Sequence, residues 1–124
     1  MRCALKPVVF AIAVLLSASS PALAGFVPIS DEATFIESVQ GKTLNIGLLG
    51  IRLSIFEDGR IAGRAVGADV SGEWTWEEGF FCRTMDWSGY EIDYNCQLVE
   101  IRGTDRMRFT VDRGEGESAT FSLR

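Results

Sequence analysis

From Lys42 to its end, the chain is cut into short strand-like runs by turn residues, and this rhythm limits the fold more than any other feature. The runs are Lys42–Ile46, Ile51–Phe56, Arg60–Val66, Val70–Trp76, Phe80–Asp86, Tyr94–Ile101, Arg106–Val111 and Ser118–Leu123. Between them lie Glu57-Asp58-Gly59, Gly67-Ala68-Asp69, Glu77-Glu78-Gly79 and Arg102-Gly103-Thr104-Asp105, with a longer glycine-rich loop from Asp112 to Glu117. Asp-Gly and similar pairs favour the tight turns that join antiparallel strands. Several runs alternate: Ile51, Leu53 and Ile55 oppose Arg52 and Ser54, and Met107, Phe109 and Val111 oppose Arg108 and Thr110. Eight short strands with short connections predict an up-and-down antiparallel meander. A sheet of that kind hides its edges by curling or closing, so the fold expected is a mainly β small barrel or half-barrel. Gly63 and Gly72, inside strands, are the expected bend points.

One helix is expected before the strands. Ser30 is a good N-cap, Asp31 and Glu32 place negative charge in the first turn, and Phe35, Ile36 and Val39 share a face. Gly41 suits the position past the helix end, which gives a helix over Asp31–Gln40 covering one end of the barrel.

Upstream of this, residues 1–24 have the layout of a secretory signal peptide. Arg2 and Lys6 are basic, Val8–Leu16 is apolar, and a small-residue stretch ends in Ala22-Leu23-Ala24. The apolar run is shorter than the about 20 residues that span a bilayer. The expectation is a periplasmic or secreted bacterial protein, cleaved after Ala24, with one domain over residues 25–124 and no membrane attachment afterwards. Loss of Arg2 and Lys6 leaves ten cations against seventeen carboxylates, a net charge of −7. That balance argues against nucleic acid or anionic lipid as a partner, because phosphate binding needs clustered Lys and Arg.

An oxidising compartment allows Cys82 and Cys96 to pair. Each lies in an expected strand, on either side of a loop containing Trp87, Ser88 and Gly89. A bridge across thirteen intervening residues is worth roughly 3 kcal/mol in the chain-entropy model, a large share of the stability of a domain this size. The CxxC spacing of a redox pair is missing.

The densest chemistry runs from Glu73 to Cys96, with Trp74, Trp76, Phe80, Phe81, Trp87, Tyr90 and Tyr94. Trp74 and Trp76 are two apart and share a strand face. These aromatics either fill the core or line a ligand cup at the barrel mouth. The carboxylates Glu73, Glu77, Glu78, Asp86, Glu91 and Asp93 share the region. A facing pair could do glycosidase-type work, but solvated turn positions are the default for such residues. Asp112–Glu117 departs from the EF-hand calcium pattern. Arg83 could reach a neighbouring Asp or Glu in a bidentate pair, and a structural role is expected for it over anion recognition. Histidine is absent, which removes Ser-His-Asp and Cys-His nucleophiles and His-ligated zinc. No metal, cofactor or catalytic residue is expected.

Five segments carry a resemblance: Gly41–Leu44, Glu57–Gly67, Val70–Arg83, Asn95–Gln97 and Arg108–Glu117. Together, and above all through the G-x-W-x-W-x-x-G-x-x-C-R block at Gly72–Arg83, the chain resembles a family of short exported bacterial proteins, largely uncharacterised. Some members carry a dihydrodipicolinate reductase label, which implies a nicotinamide cofactor. Such a cofactor needs a G-x-G-x-x-G turn between strand and helix. Gly47-Leu48-Leu49-Gly50 lacks the third glycine and lies between strands, so the reductase reading is disfavoured. The expected architecture is also similar to lipocalin-like and inhibitor-type small barrels.

The function expected is therefore non-enzymatic binding of a protein or a small apolar ligand, by a monomer. The surface expected to do it comprises Trp74, Trp76, Phe80, Trp87 and Tyr90. A ligand cup needs an open cavity lined by Trp74, Trp76 and Phe80. An inhibitor-like protein needs a filled core and exposed apolar residues at Trp87–Tyr90. A carboxylate-dependent, glycan-acting hydrolase is the alternative.

Overall fold

The structure, a computed structural model, describes residues 25–124. The expected signal peptide lies outside the described residues. The order is β1 (Val27–Ile29), α1 (Glu32–Val39), β2 (Leu44–Ile46), β3 (Ile51–Ile55), β4 (Arg60–Ala65), β5 (Ala68–Glu77), β6 (Phe80–Trp87), β7 (Tyr90–Arg102), β8 (Arg106–Thr110) and β9 (Ser118–Leu123). Strands β2 to β9 pair antiparallel in sequence order, and β9 pairs back onto β2, so eight strands close a barrel. Closure removes the unpaired edges that would otherwise invite association.

Strand β7 is thirteen residues long, longer than either neighbour. Its first half pairs with β6, whose ladder ends at Phe81↔Gln97. Beyond that point β1 continues the line of β6, through Ile29↔Val99, Pro28↔Glu100 and Val27↔Ile101. Pro28 has no N–H to donate, which restricts it to a short, peripheral strand like this one. The expected extended lead-in is thus part of the barrel wall.

Helix α1 begins one residue later than expected. Asp31, not Ser30, is the cap: its Oδ2 accepts from the Thr34 backbone N–H at 2.9 Å, and its carboxylate also receives the Thr34 hydroxyl. These bonds, the backbone N–H first, hold the Asp31 carboxyl below its ordinary pKa. The carboxylate reaches back to the orphan N–H of the first turn with a geometry that Ser30, one residue further out, lacks. Gly41 follows the helix at φ 72°. None of the helices of the described residues is long and apolar enough to cross a membrane.

The helix closes one end of the barrel. Phe35 is fully buried, with its ring centroid 5.4 Å from Trp74, 5.2 Å from Trp76, 5.1 Å from Phe81 and 6.3 Å from Phe109. Val39 and Ile29 complete the plug, and Leu44, Leu53, Ile61, Val70, Val99, Met107 and Leu123 fill the barrel below. Two positions let the walls come this close. A Cβ on Gly63 would collide with the Arg52 carbonyl oxygen, and one on Gly72 with the Thr84 carbonyl oxygen. Both glycines face inward on tightly coiled strands, as expected of bend points.

Cys82 and Cys96 form a disulfide between directly opposed residues of β6 and β7. The bridge lies on the outer face of the barrel, since Phe81 and Arg83 on either side of Cys82 point inward. Tyr94 covers it. Its hydroxyl donates to Glu77 Oε2 at 2.6 Å and lies 3.3 Å from Cys96 Sγ.

Candidate functional site

Cross-strand parity decides which aromatics meet. Trp76 opposes Phe81 and Trp74 opposes Arg83, so these four share the inner face, whereas Phe80 opposes Glu77 on the outer one. Phe80 therefore does not join Trp74 and Trp76 in a cup. It lies outside, with the Arg113 guanidinium 5.3 Å from its ring. Phe81 takes the inner place and stacks on Trp74 at 5.5 Å. The indole N–H of Trp74 donates to the Phe56 carbonyl at 2.8 Å, so the ring is held rather than left to receive a guest. A cavity of about 40 Å³ stays open among Leu44, Leu53, Phe81, Arg83, Met85, Phe109 and Phe121, and another of about 170 Å³ lies at the α1 end among Ile36, Val39, Phe56 and Trp74. Ligand pockets for small molecules run to about 300–1,000 Å³.

Arg83 takes a structural place, though not through the ion pair open to it in the sequence. It does not pair with a carboxylate but points into the barrel, 7% exposed. Its Nη1 donates to the Asp93 carbonyl at 2.7 Å, where β7 bulges against β6, and Nε makes no hydrogen bond. Burial lowers its pKa. The signal was available in the sequence: Arg83 lies two residues from Phe81 and opposite Trp74.

The barrel end opposite α1 differs in kind. Up-and-down connection places the β2–β3, β4–β5 and β6–β7 turns there together. Their contacts agree: Ser88 donates to the Asp69 carbonyl through N–H (3.0 Å) and hydroxyl (3.2 Å), and the Val66 N–H nitrogen lies near Gly50. Four apolar side chains are exposed on these turns: Leu48 by 97%, Tyr90 by 68%, Val66 by 66% and Leu49 by 51%. Trp87 is part-buried instead. It ends β6, donates its indole N–H to the Ala65 carbonyl at 2.8 Å, and so ties two turns together. The expected loop at Trp87–Gly89 is only a two-residue turn, Ser88-Gly89.

Val66 is the oddest of these residues. The β4–β5 turn is Val66-Gly67, one position before the expected Gly67-Ala68-Asp69, with φ 50° and 78°. Positive φ at both positions belongs to the type I′ hairpin, where Asn or Asp is the usual first residue. A β-branched residue there is strained by about 1–3 kcal/mol. The turn is braced from outside: Arg64 donates to the Asp69 carboxylate at 2.7 Å and to the Gly67 carbonyl at 2.6 Å.

Next to these turns, the outer face of β4, β5 and β6 forms an open concavity of about 630 Å³ lined by Glu73, Asp86, Glu91, Arg60 and, from the β6–β7 turn, Gly89. Asp86 and Glu91 are direct cross-strand neighbours, a like-charge pair that raises the energy of the strand pairing. Asp86 accepts from the Gly89 N–H at 2.9 Å, and Arg60 is engaged by Asp58 at 2.8 Å. Glu73, Asp86 and Glu91 are exposed on one open face rather than opposed across an enclosed cleft.

Three further carboxylates have structural partners. Glu77 holds Tyr94, Glu78 meets Arg113 at 3.3 Å, and Asp112 accepts from Asn95 Nδ2 at 2.8 Å. The Asp112 N–H returns a bond to Asn95 Oδ1 at 2.9 Å, which pins the Asp112–Glu117 loop to the barrel wall. Glu77 and the sulfurs of Cys82 and Cys96 lie close together, but sulfurs bonded to each other offer no thiolate to a metal.

Sequence reasoning missed Leu48, Leu49 and Val66. A usable signal was present in Gly47-Leu48-Leu49-Gly50, two leucines set between glycines in a turn. No family model, curated protein or solved structure matches the chain.

Proposed function

We propose that the chain is an exported, non-enzymatic binding protein that grips a protein partner in the manner of a small inhibitor. The observation that carries this reading is the filled interior: Phe35 and its aromatic neighbours occupy the space a lipocalin-like guest would need. The disulfide and the sequence pattern of residues 1–24 support export. The resemblance to short exported bacterial proteins points the same way.

The test separates the two binding versions. The chain is expressed with its own leader, recovered from the periplasm and examined by native mass spectrometry, then titrated with a dansylated fatty acid as an apolar probe. The expected result is the mass of residues 25–124 with one disulfide, no companion molecule and no saturable probe binding. A stoichiometric apolar ligand, or saturable probe binding that quenches Trp74 and Trp76 fluorescence, would overturn the protein-partner reading.

A further inference from the structure

We infer that the β2–β3, β4–β5 and β6–β7 turns form the docking surface, and that they fit a cationic protein whose apolar cleft receives Leu48, Leu49 and Val66. This rests on the protein-partner reading above and gives it a place and a chemistry. Two neighbouring turns expose Leu48, Leu49 and Val66 at the same end, where turn positions ordinarily carry Gly, Asn, Asp or Ser, and Tyr90 at the start of β7 is exposed beside them. Val66 is held in a backbone region its β-branched side chain disfavours, and strain of that kind gathers at binding sites. The β4–β5 and β6–β7 turns are tied to one another and to the wall before any partner arrives, through Trp87, Ser88 and Arg64. A preorganised surface loses little freedom on binding.

Charge selects the occupant. The acidic concavity runs up to the β6–β7 turn, and its like-charge pair Asp86–Glu91 is relieved when a partner places Lys or Arg against it. The β3–β4 side of the same end carries Arg52 and Arg64, with Arg64 already engaged by Asp69, so the partner's cationic rim is oriented toward β5–β7. Anionic lipid would meet the acidic wall and, over residues 25–124, a net charge of −7. A second copy would bring the same negative charge.

The test uses p-benzoylphenylalanine placed singly at Leu48, at Val66 and, as a control on the opposite end, at Glu37 of α1, with photo-crosslinking in the expressing cells. Val66→Asn accompanies it, because Asn suits the left-handed turn and keeps the fold while removing the apolar contact. The expected result is a protein adduct from Leu48 and Val66 but not Glu37. The protein recovered is expected to be basic, with its purified form binding the wild-type chain at least tenfold more tightly than Val66→Asn and more weakly as salt rises. Glu91→Lys is expected to weaken that binding further.

An adduct from Glu37 alone, an acidic partner, or unchanged affinity in Val66→Asn overturns the docking surface and leaves the protein-partner reading standing. No protein adduct from any position overturns both. Binding of the purified chain to phosphatidylglycerol–phosphatidylethanolamine vesicles, or a Leu48 adduct between two copies, overturns the choice of occupant.

Discussion

The two ends of this barrel obey opposite rules. At the α1 end, Phe35, Val39 and Trp74 are inside, ring packs on ring, the indole N–H of Trp74 has its acceptor, and Phe56 of the β3–β4 turn is 37% exposed. At the other end, Leu48, Leu49, Val66 and Tyr90 face solvent, and Val66 does so from a strained turn. One end is held by aromatic packing, and at the other the β4–β5 and β6–β7 turns are held by side-chain bonds to backbone carbonyls. Stability accounts for the first arrangement. It does not account for the second, because a polar residue at Leu48 or Val66 would satisfy the fold at least as well. That asymmetry is why the turn end, and not the aromatic interior, is proposed to do the binding.

The contrast can be broken first at the plug. Phe35→Ala empties the centre of the aromatic cluster and is expected to cost about 3–5 kcal/mol in urea unfolding. A loss below about 1 kcal/mol would mean that α1 is not what holds that end closed. Next comes the disulfide: Cys82→Ser with Cys96→Ser is expected to cost roughly 3 kcal/mol, read as a lower melting temperature. Unchanged melting would show that the β6–β7 hairpin holds without its bridge.

At the turn end the sign reverses. Val66→Asn is expected to stabilise the chain by about 1 kcal/mol, by relieving the positive φ without removing any buried contact. Loss of stability in that variant would make Val66 a structural residue and erase the difference between the ends.

The smallest effects are in titration. The hydrogen bond to Glu77, chiefly, and then partial desolvation raise the Tyr94 pKa. A raised folded-state value means that the stabilisation is fully present below the ordinary tyrosine pKa of about 10, and is lost as pH climbs through the folded value. Ultraviolet titration of Glu77→Gln is expected to bring Tyr94 back down. Asp31 runs the other way, since its pKa is lowered by the Thr34 bonds. Its capping contribution is present above the ordinary Asp value of about 3.9 and fades as pH falls through the folded one. Asp31→Ala is expected to remove that acid sensitivity in circular dichroism of the helix.

Much of the wall was legible in the chain. Alternation located β3 and β8, the Asp-Gly and Glu-Gly pairs placed two hairpins, and two cysteines in neighbouring expected strands predicted a bridge that the structure contains. Long-range pairing was not legible. Three residues, Val27–Ile29, carry no period, so nothing local says that they continue β6 along β7. Phe80 and Phe81 are adjacent and chemically alike, and only the register with Glu77 and Trp76 decides which one enters the core. Arg83 was read by its charge when its parity was the better guide. Val66 was read as the last residue of the strand run Arg60–Val66; β-branched residues do favour strands, which is why its place in the turn is informative. Tyr90 was expected at an exposed end, but Leu48 and Val66 were missed because pattern reading assigns apolar residues to the interior, and there that assumption fails.

The most direct measurement is an amide and indole NMR map of the chain, free and with the protein recovered by crosslinking. The expected shifts fall on Leu48, Val66, Gly89 and Tyr90, with the Phe35 amide and the Trp74 indole N–H unmoved. Shifts centred on Phe35, Trp74 and Trp76, with the turns silent, would contradict a filled interior and return the function to the inside of the barrel.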